Sequence, residues 1–174
     1  ILVIKTLQKL VKDHLKNELI LINTGHKIKI IEIEKSFDYD LKISESLPLV
    51  RLVGKIDRID IFDGELRIID YKTGLVKSQN MVLKNFDQLR ENFHMAPMFQ
   101  LLLYSLVSKG LYQQGLNVKA GIISLRDQKD PFKELKFNLE NQEKNFSKSS
   151  ILKGFEEFLK KVLTELFDLN RPFI

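Results

Sequence analysis

Apolar residues along this chain change their period several times, and each change marks an element. From Val3 to about residue 20 they recur at helical spacing, with Val3, Leu7, Leu10 and Leu15 as an apolar stripe. Residues 27–43 alternate instead, placing Phe37, Tyr39, Leu41 and Ile43 on one side of a strand before the polar break SESLP. Two further alternating runs flank Asp63-Gly64, a dipeptide suited to a type I′ turn, and predict a hairpin between Gly54 and Gly74. Residues 75–92 show no period and predict a long, mobile loop. Pro97 suits the first turn of a helix running to about Gly110. VKAGIISLR then predicts a buried strand, and ELKFNL a short one after Asp130-Pro131. Residues 149–168 predict a last helix on Ile151, Phe155, Phe158, Leu159, Val162 and Leu166. This order of elements predicts an α/β fold, with a central mixed sheet flanked by helices, in one domain spanning residues 1–174.

The hairpin carries the candidate chemistry. If Phe62 faces Glu65, paired residue numbers sum to 127, so Asp57 lies opposite Asp70, Ile59 opposite Ile68 and Ile61 opposite Leu66. Lys72 joins that face, two residues beyond Asp70. Directly opposed residues hold their Cβ atoms about 4.5 to 5.5 Å apart, where like charges repel unless a cation lies between them. Two acids among isoleucines therefore invite a divalent ion, and an oxygen-only donor set favours Mg²⁺ or Mn²⁺. Beside it, a lysine ammonium would stabilise charge developing on a phosphate. On the opposite face Asp60 meets Arg67, which predicts a structural cross-strand ion pair.

These residues resemble the core signature of the PD-(D/E)XK nuclease superfamily in its RecB-type branch: GKIDRID followed by IIDYKTG, with Gln-x-x-x-Tyr on a later helix matched by Gln100 and Tyr104. The resemblance implies a restriction-endonuclease-like core, with metal on Asp57, on Asp70 and on the backbone carbonyl of Tyr71. It implies Lys72 as the catalytic lysine and a face bearing Gln100 and Tyr104 turned toward it. An acid on the preceding strand resembles another family position, for which Glu34 is the choice, with Glu32 on the same strand face. The implied function is metal-dependent DNA phosphodiester hydrolysis, expected as exonuclease action within a helicase–nuclease system of repair and recombination. A helicase-like region or subunit is the implied partner. The family's histidine, in a Gly-x-x-x-His setting upstream, has no counterpart: Leu10 stands four residues before His14, which reads as an ordinary helix residue. The chain is accordingly expected to be a fragment whose histidine helix lies outside it. Without cysteine it offers no iron–sulfur ligands in this segment.

Composition adjusts this picture only slightly. A chain of 174 residues, 44% hydrophobic, can bury a substantial core. Its longest apolar runs fall short of the roughly 20 residues a membrane span needs. The lack of cysteine fits a reducing compartment, and a cytoplasmic location is expected. A net charge of +5 and a pI near 9.3 suit a polyanion such as DNA. Lys5, Lys9, Lys12 and Lys16 recur at helical spacing as a solvated stripe, whereas Lys77, Lys84 and Arg90 follow the active-site strand where a substrate would pass and are the candidate DNA contacts. The alternative to cleavage is a nuclease-like domain that binds DNA or docks a partner without cutting.

Overall fold

The computed structural model of the protein describes residues 2–45, 47–112, 118–138, 148–168 and 170. Helix α1 (Leu2–Asn23) leads into β1 (Ile28–Lys42), which pairs antiparallel with β2 (Leu49–Phe62). A tight turn at Asp63-Gly64 then returns the chain as β3 (Glu65–Lys72). Both turn residues adopt positive φ, 50° and 89°, as a type I′ turn requires. The register is the expected one: Phe62 faces Glu65, Asp60 faces Arg67 and Ile59 faces Ile68.

Beyond the hairpin come β4 (Val82–Leu83), α2 (Gln88–Glu91), α3 (Ala96–Val107), α4 (Lys109–Tyr112), β5 (Val118–Ser124), β6 (Phe132–Glu134), β7 (Lys136–Phe137) and α5 (Lys148–Leu166). β5 lies parallel to β3, completing a mixed sheet in the order β1-β2-β3-β5-β6, while β4 and β7 form a separate parallel pair. Helix α1 covers one face of the sheet through Leu10, which packs on Ile69, Ile123 and Leu125. Helix α3 covers the other and is backed by α5. Phe155, fully buried, stacks with Phe158 and meets Phe86 and Phe99. Truncating such a side chain costs about 3–5 kcal/mol.

Three expectations require correction. Residues 75–92 are not an irregular loop: a 3₁₀ turn at Ser78–Met81, β4 and α2 occupy them, and Met81 and Leu83 are buried in the main core. Their anchors are too few and too unevenly spaced to register as a period. The expected ELKFNL strand divides at Leu135 into β6 and β7, with Leu139 outside the described residues. The stripe on α1 does not face the sheet: Val3, Leu7 and Leu15 are exposed, and only Leu10 is partly buried. α1 lays His14, Asn17 and Glu18 inward instead, because the sheet face it covers presents Arg58, Asp60 and Arg67, which require polar partners.

Ile56 and Ile59 stand three apart on β2, yet both belong to the main core, which strict alternation forbids. Between them the strand pair turns over, opposite Glu34, whose φ of 53° lies in the left-handed region. As a result Phe37, Tyr39, Leu52 and Ile56 pack toward α3 on the far stretch of the pair. Gly54 serves that packing, since a Cβ there would lie 2.6 Å from the Phe37 ring.

Candidate active site

The turnover positions Asp57. The β2–β3 ladder ends at Arg58 and Ile69, so Asp57 and Asp70 are not a ladder pair as the register arithmetic expected. β3 continues to pair on its other side, Asp70 with Ile122 and Lys72 with Ser124. The amide of Tyr71 is released from β2 at this point and donates to Asp57 Oδ2 at 2.8 Å. Splaying converts one edge of the ladder into a side-chain site.

Asp70 is 2% exposed. Burial pushes its carboxyl above the ordinary carboxylate range; the Lys72 ammonium opposes the shift and the Asp57 charge adds to it. Asp70 Oδ2 lies 2.8 Å from Lys72 Nζ, a close charge-paired contact and the one partner this buried carboxyl has among the described side chains. Lys72 Nζ also donates to Gln100 Oε1 at 3.1 Å, and Gln100 Nε2 donates to the Tyr104 hydroxyl at 2.6 Å. Spaced one turn apart on α3, Gln100 and Tyr104 thus form a chain that holds the ammonium. The Phe37 ring meets Tyr104 edge-on, with centroids 6.0 Å apart. Burial raises the Tyr104 hydroxyl pKa, with further contributions from the charges of Asp70, Asp57 and Glu34. That coupling locates Glu34 in the same electrostatic neighbourhood, although its carboxylate is exposed and paired with Lys55 at 3.1 Å. Glu32 pairs with Lys35.

Among the described residues no three His, Asp or Glu side chains converge to hold a metal ion. The groups that do come together are two carboxylates, Asp57 and Asp70, with the Tyr71 amide on Asp57. Two neighbouring acids, one of them buried and paired with a single lysine, suit a hard divalent cation.

The Tyr71 side chain points to the other face, where its hydroxyl accepts from Arg58 Nη1 at 3.0 Å and its ring meets His14 edge-on at 5.5 Å. His14 is therefore not an ordinary helix residue; it is buried over the back of the strand that carries the site. The sequence reading missed this clamp behind Tyr71, although parity with Arg67 and Ile69 already assigned that side chain to the far face. Of the candidate DNA contacts, Lys77 and Lys84 are exposed, whereas Arg90 is held by Glu165 on α5 at 2.8 Å. His26 caps the hairpin turn through Asp63, and His94 lies exposed before α3.

The family model of the PD-(D/E)XK nuclease superfamily matches residues 4–173. The chain belongs to this superfamily. Its mixed five-stranded sheet flanked by helices is the restriction-endonuclease-like fold of these nucleases, which use divalent metal ions. No curated protein and no solved structure matches the chain. No described helix is long and apolar enough to cross a membrane.

Proposed function

We propose that this nuclease-superfamily chain hydrolyses DNA phosphodiester bonds with Mg²⁺ or Mn²⁺, in the manner of the RecB-type branch and within a helicase–nuclease system. The observation that carries this reading is the buried Asp70 carboxylate, beside the Asp57 charge and paired with Lys72. Asp57, Asp70 and the Tyr71 carbonyl would hold the cation, which when bound supplies an acidified water and charge neutralisation at the phosphate.

The chain's own groups account for the remaining chemistry. Lys72 has three ammonium protons; one reaches Gln100 and one faces Asp70, leaving a third for a phosphate oxygen or the attacking water. Gln100 and Tyr104 restrict where that proton points, so the charge is in position before substrate arrives. Asp57 is oriented by the Tyr71 amide, which fixes one of its oxygens and leaves the other for a ligand. Glu34 is a further acid, whose charge reaches Tyr104, and Lys77 and Lys84 supply exposed cations for the DNA backbone.

The test is cleavage of end-labelled linear DNA with Mg²⁺ or Mn²⁺ by the chain, by Lys72→Ala and by a chain extended upstream. Cleavage that needs both metal and Lys72 supports the nuclease. Cleavage by the extended chain alone would assign completion of the site to an upstream element. DNA binding without cleavage by either would favour the non-catalytic reading, on whose side stands the lack of a third converging acid or histidine among the described residues.

A further inference from the structure

The strongest unassigned feature is on the α1 side of the sheet. Polar groups on α1 take the inward positions there: Glu18 binds Arg58, and Asn17 binds Gln128. Successive residues of a helix turn by about 100°. Leu10 and Asn17 therefore look toward β3 and β5, Glu18 toward β2, and Ile4, Val11, Leu15 and Ile22 follow Glu18 round the helix on the β1 side. These four are 46% to 61% exposed.

β1 meets them with apolar residues of its own. Ile30 pairs with Asp60 and Ile33 with Arg58, so both point to the α1 side; the register shift between Ile30 and Glu32 is what brings two residues three apart onto one face. They are 50% and 61% exposed. α1 thus covers only part of this face of the sheet. The uncovered part is a step, with an isoleucine floor on edge strand β1 and an aliphatic wall on α1. Six half-exposed or more exposed aliphatic side chains on neighbouring elements are the kind of surface that marks an interaction site.

We propose that this step receives an amphipathic helix of a partner protein whose apolar face is bordered by acidic residues. A helix laid beside α1 would complete the layer over β1 and fill the step. The charge on the rim selects its chemistry: Lys5, Lys12 and Lys16 line the outer border of the apolar wall, all exposed and without an ion pair among the described residues. A second copy would bring its own lysines against these, which disfavours self-association through this surface. A lipid surface suits an apolar stripe confined to one amphipathic helix, whereas here the apolar residues are divided between a helix and a sheet-edge strand.

The experiment uses synthetic helices with leucines on one face bordered by glutamate, by lysine, or by glutamate with the leucines replaced by serine. Fluorescence anisotropy against the whole chain should give saturable binding of the glutamate-bordered helix, at least about tenfold tighter than the other two. Val11→Asp and Ile33→Asp should each weaken it about tenfold with unchanged urea midpoints, and K12E with K16E should shift preference to the lysine-bordered helix. Equal affinity for the three helices, or none that saturates, overturns the proposal. So does sedimentation showing a dimer that Val11→Asp dissolves, or adsorption to phosphatidylserine vesicles in place of helix binding. None of these readouts depends on nuclease activity.

Discussion

The two faces of the β2–β3 hairpin carry nearly the same residue types and treat them in opposite ways. On the α1 face Asp60, fully buried, receives Arg67 at 2.7 and 2.8 Å and lies 2.6 Å from Arg58, which in turn reaches Glu18 and Tyr71. On the α3 face Asp70, also buried, pairs with a single lysine, Lys72 at 2.8 Å, and feels the charge of a second acid, Asp57. Where two arginines meet two acids, Asp60 and Glu18, the charges balance and the cluster fixes structure. Where two acids, Asp57 and Asp70, lie near one lysine, the acids outnumber the cation, and such an imbalance suits a ligand site. The first cluster also supports the second, since the Arg58 bond to the Tyr71 hydroxyl anchors the strand whose amide orients Asp57.

The sharpest way to break the contrast is to remove one acid from each face. Asp60→Ala would leave two buried guanidiniums facing each other, and a loss of about 3–5 kcal/mol in urea unfolding is expected. Cleavage should fall only as far as the folded fraction falls. A neutral result would mean that the back-face network is not structural.

On the site face the expected effects have a different character. Lys72→Ala should reduce metal-dependent cleavage about 10²–10³-fold, the cost of deleting one preorganised charge donor, with little change in the urea midpoint. Asp70→Asn should abolish cleavage yet raise the stability of the metal-free fold. The sign follows from burial: a raised carboxyl pKa means that ionised Asp70 opposes folding, and its favourable contribution is lost as pH rises above the ordinary carboxylate range. Divalent metal should then stabilise the native chain against heat but not the Asn variant. If Asp70→Asn lowered the melting temperature without metal, the imbalance would be disproved.

Much of this arrangement was legible in the chain. The Asp63-Gly64 turn set the register, and counting from it placed Asp60 against Arg67 and grouped Asp57, Asp70 and Lys72 on the other face. The end of the ladder at Arg58 was not legible, because it depends on the turnover at Glu34 and on β3 keeping its pairing with β5, a partner about fifty residues away in the chain. The orientation of α1 failed for a related reason. Periodicity reports that a helix has an apolar stripe but not what it will meet, and the sheet face it covers needed His14 and Glu18 more than Leu7 and Leu15. Met81 and Leu83 anchor residues 75–92 without repeating, which no pattern method detects.

The smallest effect tests whether the back face is compensated down to its last titratable group. His14 is buried against Tyr71, with Glu18, Arg58 and Arg67 around it, and its Nε2 has no hydrogen-bond partner. Burial pushes its pKa below the ordinary 6.5; the Glu18 charge opposes that shift, and the arginines add to it. The unfolded chain therefore binds a proton at His14 more readily than the folded one. Stability from this group is present above pH 6.5 and lost as pH falls below it. Urea midpoints measured from about pH 7.5 down to about 5.5 should decline, and His14→Phe, which keeps a ring against Tyr71, should flatten the decline. A slope that persists in the Phe variant would exclude His14 as its source, and the cluster around Asp60 would then be tolerating a protonated imidazole in its midst.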